Sequence, residues 1–441
     1  MRFVRELDEY PVGAKRRKIL IMAILASLIT AYEGAMAPVL PLMLRDLHMS
    51  LTLYGRIIAG ALIFGAIAGL IGGWLSDRYG RVRVLIPMMM LTAFLAFAMA
   101  LVTNVVEFAI GACVLLFVES VGVAATIPLV RDFSPRMGRA MAMGLWTCGP
   151  VGANFVSAGI AALTLPLFHN AWQSQYIIVG CLSLVASIVI ALNIADLSPR
   201  LRAEVLETER KVIEDASTNA APASPRMMLL SPLIWAHNLG NGFWLVFYVT
   251  VTVFGQTILV HEFHKTPAEA SSIMTGFWVL DIIMTIVIGR LSDVLQLRRI
   301  FVLVFTVIFG LLVLYFAHLM GHANTTSTQT LVIMGALIGG AMGATYSPWM
   351  AMYSENAEDI DPRLQGYAWG MYNSIIRVVI TIAVLYAPVV VGRTGSWREW
   401  FILSAICVVP FAIAVFFFKG PWTRAQVKNR ANSSMPLAAP H

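Results

Sequence analysis

Residues 73–83 read GWLSDRYGRVR and join two long apolar segments, residues 53–75 and 84–103. Polar and cationic residues of this kind cannot remain in hydrocarbon, so the stretch predicts a short loop at one face of a membrane. Its arginines favour the cytoplasmic face. Gly73 and Gly80 permit close backbone approach and a sharp reversal of the chain. The stretch therefore predicts a membrane protein whose helices reverse direction at this loop.

A similar stretch recurs about half a chain later. Residues 289–299 read GRLSDVLQLRR, and a second pair of similar stretches lies at residues 135–139 and 362–366. Two repeats with similar spacing indicate a duplicated chain whose halves share one orientation, as in transporters with parallel repeats. After Asp293 the second copy lacks the glycine and the arginine of the first. The first copy is therefore the better candidate for a working gate.

Between the second and third predicted spans, the pattern Gly-x-Leu-Ser-Asp-Arg-x-Gly-Arg of residues 73–81 resembles the signature loop of the major facilitator superfamily. The resemblance covers essentially the whole chain. It implies an all-α membrane protein with twelve transmembrane helices in two pseudo-symmetric six-helix bundles. It also implies a secondary transporter that works by alternating access.

The resemblance further implies a gating role for this loop. In the family, the aspartate of the loop pairs with basic residues at the cytoplasmic end of a neighbouring span and helps to hold the outward-facing state. Here Asp77 takes that position, with Arg131 or Arg81 as its partner. Val82 departs from the family, which usually has a second basic residue there, and Arg83 is the nearest substitute. The residues expected to take part in gating are Gly73, Asp77, Arg78, Gly80, Arg81, Arg131 and Asp293.

The composition is that of a membrane protein. Of the 441 residues, 59% are hydrophobic and only 12% are charged, whereas soluble domains are about a quarter charged. The formal net charge of +7 would suit a nucleic acid, but most of the 31 Lys and Arg residues fall in the predicted cytoplasmic segments. The exterior holds only Arg45, Arg56, Lys265, Arg393 and Arg398. This asymmetry indicates the orientation, with both termini in the cytoplasm, rather than a polyanionic partner.

Several motifs of other protein classes are incomplete. The cysteines lie inside apolar segments, which predicts packing rather than disulfides or metal ligands: Cys113, Cys148, Cys181 and Cys407. Residues 261–264 read HEFH, but a zinc-protease motif needs its second histidine at 265, where Lys265 stands. The chain contains no glycine-rich phosphate loop, which argues against an ATP-driven pump. The sequence thus predicts no metal, no cofactor and no enzymatic activity.

Twelve apolar runs are each long enough to cross a hydrocarbon core of about 30 Å. They lie near residues 19–44, 52–75, 84–104, 106–130, 140–166, 175–195, 231–260, 267–290, 300–318, 328–352, 366–391 and 400–418. The break at residues 196–230 predicts a short surface helix and a flexible tether, since it is first charged at helical spacing and then rich in Ala, Ser and Pro. We therefore expect an N-terminal bundle (1–195), this cytoplasmic linker, and a C-terminal bundle with its tail (231–441).

Three acids in the predicted interior are candidates for proton coupling: Glu33, Glu119 and Asp281. Low-dielectric surroundings disfavour the charged form of a carboxyl, so such a group can exchange a proton near neutral pH. Glu33 is the preferred proton site because it lies at the midpoint of the first span, with Pro38 and Pro41 later in the same helix. For Glu33 and Glu119, a neutral, hydrogen-bonded structural role stays open.

Arg377 is the one fixed cation of the predicted interior, and an arginine that cannot lose its proton must be paired or bound to an anion. Two interpretations stay open, a salt bridge to Asp281 and the binding of a substrate carboxylate. Trp369, Asn373 and Arg377 are spaced four residues apart and predict a binding wall along one helix. Further candidates for substrate contact are Tyr32, Asn241, Trp244 and Tyr346. His237 shares a helix face with Asn241 and is expected to be structural.

The predicted function is secondary transport of a small organic solute, coupled to protons, with an organic anion or carboxylate in symport as the preferred substrate. The expected partners are the solute, protons and the lipid bilayer of the cell membrane, and the protein is expected to be a monomer. The alternative is proton-driven efflux of lipophilic or cationic drugs, favoured by the three interior acids and many aromatic residues. Residues 149–152, GPVG, partly match the motif of drug/proton antiporters, but Ala153 and Asn154 replace its next two glycines.

Overall fold

In the computed structural model the chain folds almost entirely into long α-helices. The structure describes residues 5–427 except 35, 134–138, 206, 208–223 and 362–363, and it describes only the backbone of 139–145, 147–148 and 365–366. Within these residues, ten helices are long and apolar enough to cross a membrane. Two more, Arg139–Thr164 and Arg398–Ala414, complete the predicted twelve.

The twelve spans are numbered in chain order. In the first half, span 1 is Gly13–Glu33 continued by Leu40–Asp46, and spans 2 to 6 are Leu51–Tyr79, Arg81–Met99, Val105–Asp132, Arg139–Thr164 and Gln173–Asn193. In the second half, spans 7 to 12 are Pro232–Phe263, Pro267–Leu295, Arg298–Met320, Thr328–Glu358, Gln365–Thr394 and Arg398–Ala414. Between the halves, residues 199–205 are helical and Arg226–Leu229 forms one helical turn. The remainder of the predicted linker helix lies outside the described residues.

Span 1 is not the continuous helix that the sequence predicts, because it breaks directly after Glu33. The first helix ends there, residues Ala37–Val39 form a short 3-10 helix, and a second helix begins at Leu40. Pro38 and Pro41 lack the backbone N–H that a helix needs as a donor. Each proline ring also disfavours helical geometry at the residue before it. Glu33 therefore lies at a helix end, where the last carbonyl groups have no partner within the helix.

Small residues let neighbouring spans pack closely in both halves. A Cβ built on Gly72 of span 2 would lie 2.7 Å from the Cα of Val121 in span 4. In the second half, Gly339 of span 10 meets the backbone of Phe277 in span 8. Close backbone approach through glycine is typical of membrane helix pairs, where packing rather than the hydrophobic effect holds the helices together.

We call the membrane face that carries residues 73–83 the motif face, and the other one the far face. The two halves meet toward the far face: the Thr52 hydroxyl of span 2 lies 3.5 Å from the carbonyl of Pro388 in span 11. The rings of Tyr54 in span 2 and Phe254 in span 7 pack edge to face at 6.2 Å. At the motif face, the ion pairs of the loop stay within the first half. These contacts join the two halves toward the far face.

Candidate transport site

The loop at residues 73–83 carries an ion-pair network that is buried at its base. Arg81 is only 3% exposed, and its guanidinium lies 3.3 Å from Asp77 Oδ1 and 3.2 Å from Asp132 Oδ2. Of the two partners that the sequence left open for Asp77, the structure shows Arg81. Within the described residues, no ion pair joins Asp77 to Arg131. Asp77 is itself mostly exposed, so it remains accessible at the motif face.

The segment after span 6 completes this network, and sequence reasoning missed it. The Asp196 carboxylate accepts hydrogen bonds from the backbone N–H of Val82 at 3.2 Å and from Arg202 Nη2 at 2.6 Å. Gly80 is required beside it, because its φ is +107° and a Cβ there would lie 2.8 Å from Asp196 Oδ2. A signal was present, since Asp132 and Asp196 follow predicted spans at the same face as the arginine-rich loop.

Strand β1 (Glu6–Leu7) of the N-terminal lead pairs in parallel with strand β2 (Asp196–Leu197). The carboxylate of Glu6 accepts a hydrogen bond from Arg83 Nη2 at 2.6 Å. Arg83 therefore binds the lead and does not take over the missing basic residue at 82 in the buried network. The lead, the start of the linker and the loop form one unit at the motif face.

The other two gating candidates of the first copy lie outside the buried network. The guanidinium of Arg78 is exposed and lies 5.3 Å from the ring centre of Trp74 and 5.6 Å from that of Tyr79. Stacking of this kind is typical of an arginine at a membrane surface. Gly73 has no neighbour within 4 Å of a built Cβ. Neither residue contributes to the ion pairs of the loop in this conformation.

The second copy of the loop keeps an equivalent of the missing arginine, one residue later than the repeat predicts. Arg298 Nη1 lies 2.5 Å from Asp293 Oδ1, and Arg298 Nη2 lies 2.6 Å from Glu355 Oε1 in span 10. Gln296 adopts the left-handed conformation with φ +55° in the intervening turn. The sequence repeat places Leu297 at the position of Arg81, so the extra residue of this turn hid the correspondence between Arg298 and Arg81.

The structure brings Glu33 and Glu119 together at the break in span 1. Glu33 is fully buried, and a Cβ built on the adjacent Gly34 would lie 2.7 Å from Glu119 Oε2. The two carboxyl groups are close enough to interact electrostatically, and Ser183 of span 6 is a further neighbour of Glu33. Within the described residues, neither oxygen of Glu33 has a hydrogen-bond partner. Two carboxyls this close disfavour a state in which both are charged.

Asp281 lies apart from this pair, in the second half. It is buried and faces span 10, where its carboxylate packs against Gly343. Tyr248 and Tyr346 are near enough to interact with it electrostatically. No ion pair joins Asp281 to Arg377 in the described part of the chain. The salt-bridge interpretation is therefore wrong for this conformation, because Asp281 faces span 10 while Arg377 faces span 2.

Arg377 belongs to an exposed polar stripe on span 11. Its Nη2 lies 3.4 Å from the position of a Cβ built on Gly69 in span 2, and Asn373, four residues earlier on the same helix face, is exposed as well. A different face of the same helix carries exposed apolar and aromatic side chains, which we call the lipid-type stripe: Val378, Ile382 and Tyr386. Exposed polar side chains at this depth must face water rather than lipid. Arg377 therefore belongs to a polar stripe of span 11 that lies beside Gly69 of span 2.

The aromatic candidates form a cluster inside the second half. Tyr372 donates its hydroxyl hydrogen to Asn241 Oδ1 at 2.8 Å, and the hydroxyls of Tyr372 and Tyr346 lie 3.2 Å apart. Trp369 packs edge to face on Tyr372 at 5.7 Å. Sequence reasoning missed Tyr372, although it directly precedes Asn373 of the predicted stripe. In this cluster, hydroxyl and amide groups lie among aromatic rings.

Three predicted contact residues, Tyr32, Asn241 and Trp244, are buried in this conformation. Trp244 is 1% exposed and packs on Phe309 and Phe411, which belong to the peripheral spans 9 and 12. It also stacks on Tyr346 at 6.1 Å, so in this conformation it lies between the peripheral spans and the aromatic cluster. His237 lies 2.8 Å from the amide of Asn356 and stacks on Phe418, which fits its expected structural role.

Twelve membrane helices in two similar halves, with buried acids and an unpaired arginine among the described residues of their spans, are features of a multi-pass membrane transporter. Residues 20–260 and 242–438 match the family model of the Major Facilitator Superfamily. The chain belongs to that superfamily, and the predicted fold of two six-helix bundles is confirmed.

Similar proteins extend this result. Over 231 residues the chain is 24% identical to the 4-hydroxybenzoate transporter PcaK of Pseudomonas aeruginosa, covering 51% of this chain and 49% of that protein. Over 423 residues it is 24% identical to the hexuronate transporter of Bacillus subtilis (strain 168), covering 91% of this chain and 94% of that protein. The match thus spans about half of the first relative and most of the second. The solved structure of a D-xylose-proton symporter has a TM-score of 0.68 at 14% identity, covering 92% of this chain and 99% of that one.

Proposed function

We propose that this protein carries a small organic carboxylate across the cell membrane together with protons, by alternating access. The observation that carries this proposal is the position of Arg377. Its guanidinium lies on an exposed polar stripe beside span 2 of the other half, and no ion pair neutralises it in the described part of the chain. A fixed, unpaired cation between the two halves favours a carboxylate over a neutral or cationic solute.

The similar proteins support the same class of substrate. One is named for transport of 4-hydroxybenzoate and the other for transport of hexuronate. An aromatic acid and a sugar acid differ in most of their groups but share a carboxylate. The aromatic cluster around Tyr346 and Tyr372 would then contact the rest of the solute, while Arg377 binds its carboxylate.

The buried acids supply the proposed proton site. Glu33 and Glu119 share one location at the break of span 1, and Asp281 is a second candidate in the other half. A carboxyl that binds a proton in one conformation and releases it to water in the other couples proton movement to the conformational change. The broken helix after Glu33 gives this part of span 1 freedom to move relative to spans 4 and 6.

Alternating access requires the two halves to move as units, which we place at residues 1–195 and 231–441, joined by the linker at 196–230. The motif face and both termini are proposed to be cytoplasmic, which the distribution of Lys and Arg supports. The conformation described above would then be inward-facing. We further propose that the monomer is the transporting unit, since each chain carries both halves of the site.

Purified protein in pH-jumped liposomes tests the proposal. We expect 4-hydroxybenzoate or glucuronate to dissipate an imposed proton gradient, and Arg377→Gln to abolish this effect. Arg393→Gln is the matched control, because it removes the same charge from the exposed far end of the same helix. Dissipation by a cationic dye but by neither carboxylate would overturn the proposal in favour of drug efflux.

A further inference from the structure

The far-face end of span 9 carries two exposed histidines. His318 lies in the helix that ends at Met320, and His322 follows four residues later, at the start of the loop to span 10. Their ring centres lie 4.6 Å apart, with the ring planes at 45° to each other. Both side chains are exposed, and neither belongs to the transport site described above.

A hydrogen bond determines which nitrogen of His322 is free. Its Nδ1 lies 3.2 Å from the carbonyl oxygen of His318. Because a carbonyl can only accept, Nδ1 carries the hydrogen, and the lone pair of Nε2 remains available. Metal-binding histidines usually have this arrangement, in which the second ring nitrogen donates to a carbonyl or a carboxylate.

Neighbouring contacts restrict both histidines. The ring of Tyr315 stacks on that of His318, with the ring centres 6.2 Å apart. The hydroxyls of Thr325 and Thr326 both donate to the backbone carbonyl of His322, at 3.0 Å and 2.9 Å. The ring of the first histidine and the backbone of the second are therefore held in place before any ligand binds.

The spacing of the two rings is that of two imidazoles on a single metal ion. With metal–nitrogen bonds of about 2.0–2.1 Å and an angle between them of about 90–109°, two ring centres lie about 4.5–5.2 Å apart, and the observed 4.6 Å falls in this range. The last carbonyl groups of a helix also favour a nearby positive charge. Arg398 opposes this effect, since its Nε lies 3.9 Å from a Cβ built on Gly321. The two imidazoles therefore decide whether a cation binds.

We propose that His318 and His322 bind one first-row transition-metal ion, such as Zn²⁺. Imidazole nitrogen suits Zn²⁺, Ni²⁺ and Cu²⁺, whereas Mg²⁺ and Ca²⁺ prefer oxygen ligands. In the part of the chain that the structure describes, no group of three or more His, Cys, Asp or Glu residues could hold a metal ion, so water completes the coordination of this one. The ion exchanges with the solution at the far face, and it would clamp the end of span 9 to the loop that leads to span 10.

The test uses the full-length protein without an affinity tag, purified in a neutral detergent, with Zn²⁺ binding measured by isothermal titration calorimetry. Mg²⁺, which has the same charge, is titrated separately. We expect the unmodified protein to bind one Zn²⁺ per chain and to show no measurable binding of Mg²⁺. His318→Gln and His322→Gln should each weaken Zn²⁺ binding at least about tenfold, since the loss of only a supporting hydrogen bond at a metal-binding histidine typically costs about 10–100-fold in affinity.

His264→Gln is the matched control, because it removes an exposed imidazole from another loop of the same face, between spans 7 and 8. We expect it to change Zn²⁺ binding less than about twofold, since it leaves both proposed ligands in place. Absence of Zn²⁺ binding to the unmodified protein, equal binding of Zn²⁺ and Mg²⁺, or equal effects of the three substitutions would each contradict the proposal. The comparison of the two ions uses the unmodified protein, so it holds whatever the variants do to folding.

Discussion

Arg298 stands in the same relation to Asp293 as Arg81 does to Asp77. In both halves an arginine at the start of the third helix bridges the aspartate of the loop and an acid at the end of the fourth helix. The burial of this acid differs, because the side chain of Asp132 is 4% exposed and that of Glu355 is 50% exposed. The two networks are therefore equivalent in geometry but unequal in the free energy that their loss would cost.

This difference predicts unequal effects of two matched substitutions. Arg81→Ala removes the closest cation of the buried Asp132 and leaves it with Arg202, 3.9 Å away, and the nearby Arg131, and should lower the free energy of unfolding by about 3 kcal/mol. Arg298→Ala leaves two partly hydrated carboxylates and should cost about 1 kcal/mol. Thermal unfolding of both purified variants, followed by intrinsic fluorescence, checks the ranking. An equal drop in Tm would contradict the assignment of a buried network to the first half alone.

The general architecture could be predicted from the sequence because it depends on local patterns. Apolar runs, the positions of arginines and the repeated loop each specify their own segment, and the helices follow them closely. The partners of a side chain depend on distant segments. Asp196 reaches Val82 across more than a hundred residues, and no spacing rule connects them.

Register shifts and helix breaks are the second limit on prediction. Arg298 escaped notice because one left-handed residue, Gln296, displaces it from the aligned position. Glu33 was placed within a helix because prolines several residues later were expected to bend span 1 rather than to end it. Helical periodicity also placed Trp244 on a plausible face, but it cannot tell whether the transport site or a peripheral span covers that face.

The packing of spans 2 and 4 predicts opposite outcomes for two adjacent glycines. Gly72→Ala puts a methyl group 2.7 Å from backbone atoms of Val121, which cannot move aside independently, so overpacking should cost about 1–3 kcal/mol. Gly73→Ala meets no atom within 4 Å and should leave stability unchanged or slightly raised, since alanine favours a helix. Thermal unfolding of the two variants provides the measurement. A stable Gly72→Ala protein would show that spans 2 and 4 are farther apart.

The water-filled character of the stripe around Arg377 can be measured directly. Asn373→Cys should react with a membrane-impermeant thiosulfonate in liposomes, because thiolate forms readily in water. Val378→Cys, on the lipid-type stripe of the same helix, should stay unreactive although it is also exposed in the absence of lipid. The unmodified protein gives the background of the native cysteines. Similar reaction of both variants would remove the evidence that this stripe faces water.

The carboxyl pair at the break of span 1 gives the sharpest test of proton coupling. Glu33→Gln keeps the size of the side chain but removes its titration, so a proton can no longer be carried there. We expect loss of gradient-driven accumulation of the carboxylate in liposomes, whereas counterflow exchange, which needs no net proton movement, is retained. Glu119→Gln should act in the same direction, because the two groups share one site.

Glu269→Gln is the control for these two variants. Glu269 is an exposed acid in the capping box of span 8, where its carboxylate accepts a hydrogen bond from the backbone N–H of Thr266 at 2.9 Å. Glutamine can occupy the same position of a capping box, so Glu269→Gln should change the free energy of unfolding little and leave accumulation intact. If Glu33→Gln and Glu119→Gln both accumulate substrate normally, the proton moves elsewhere, and Asp281 becomes the group to test. Loss of exchange together with accumulation would instead indicate a structural role for the pair, since exchange requires only binding and reorientation of the loaded protein.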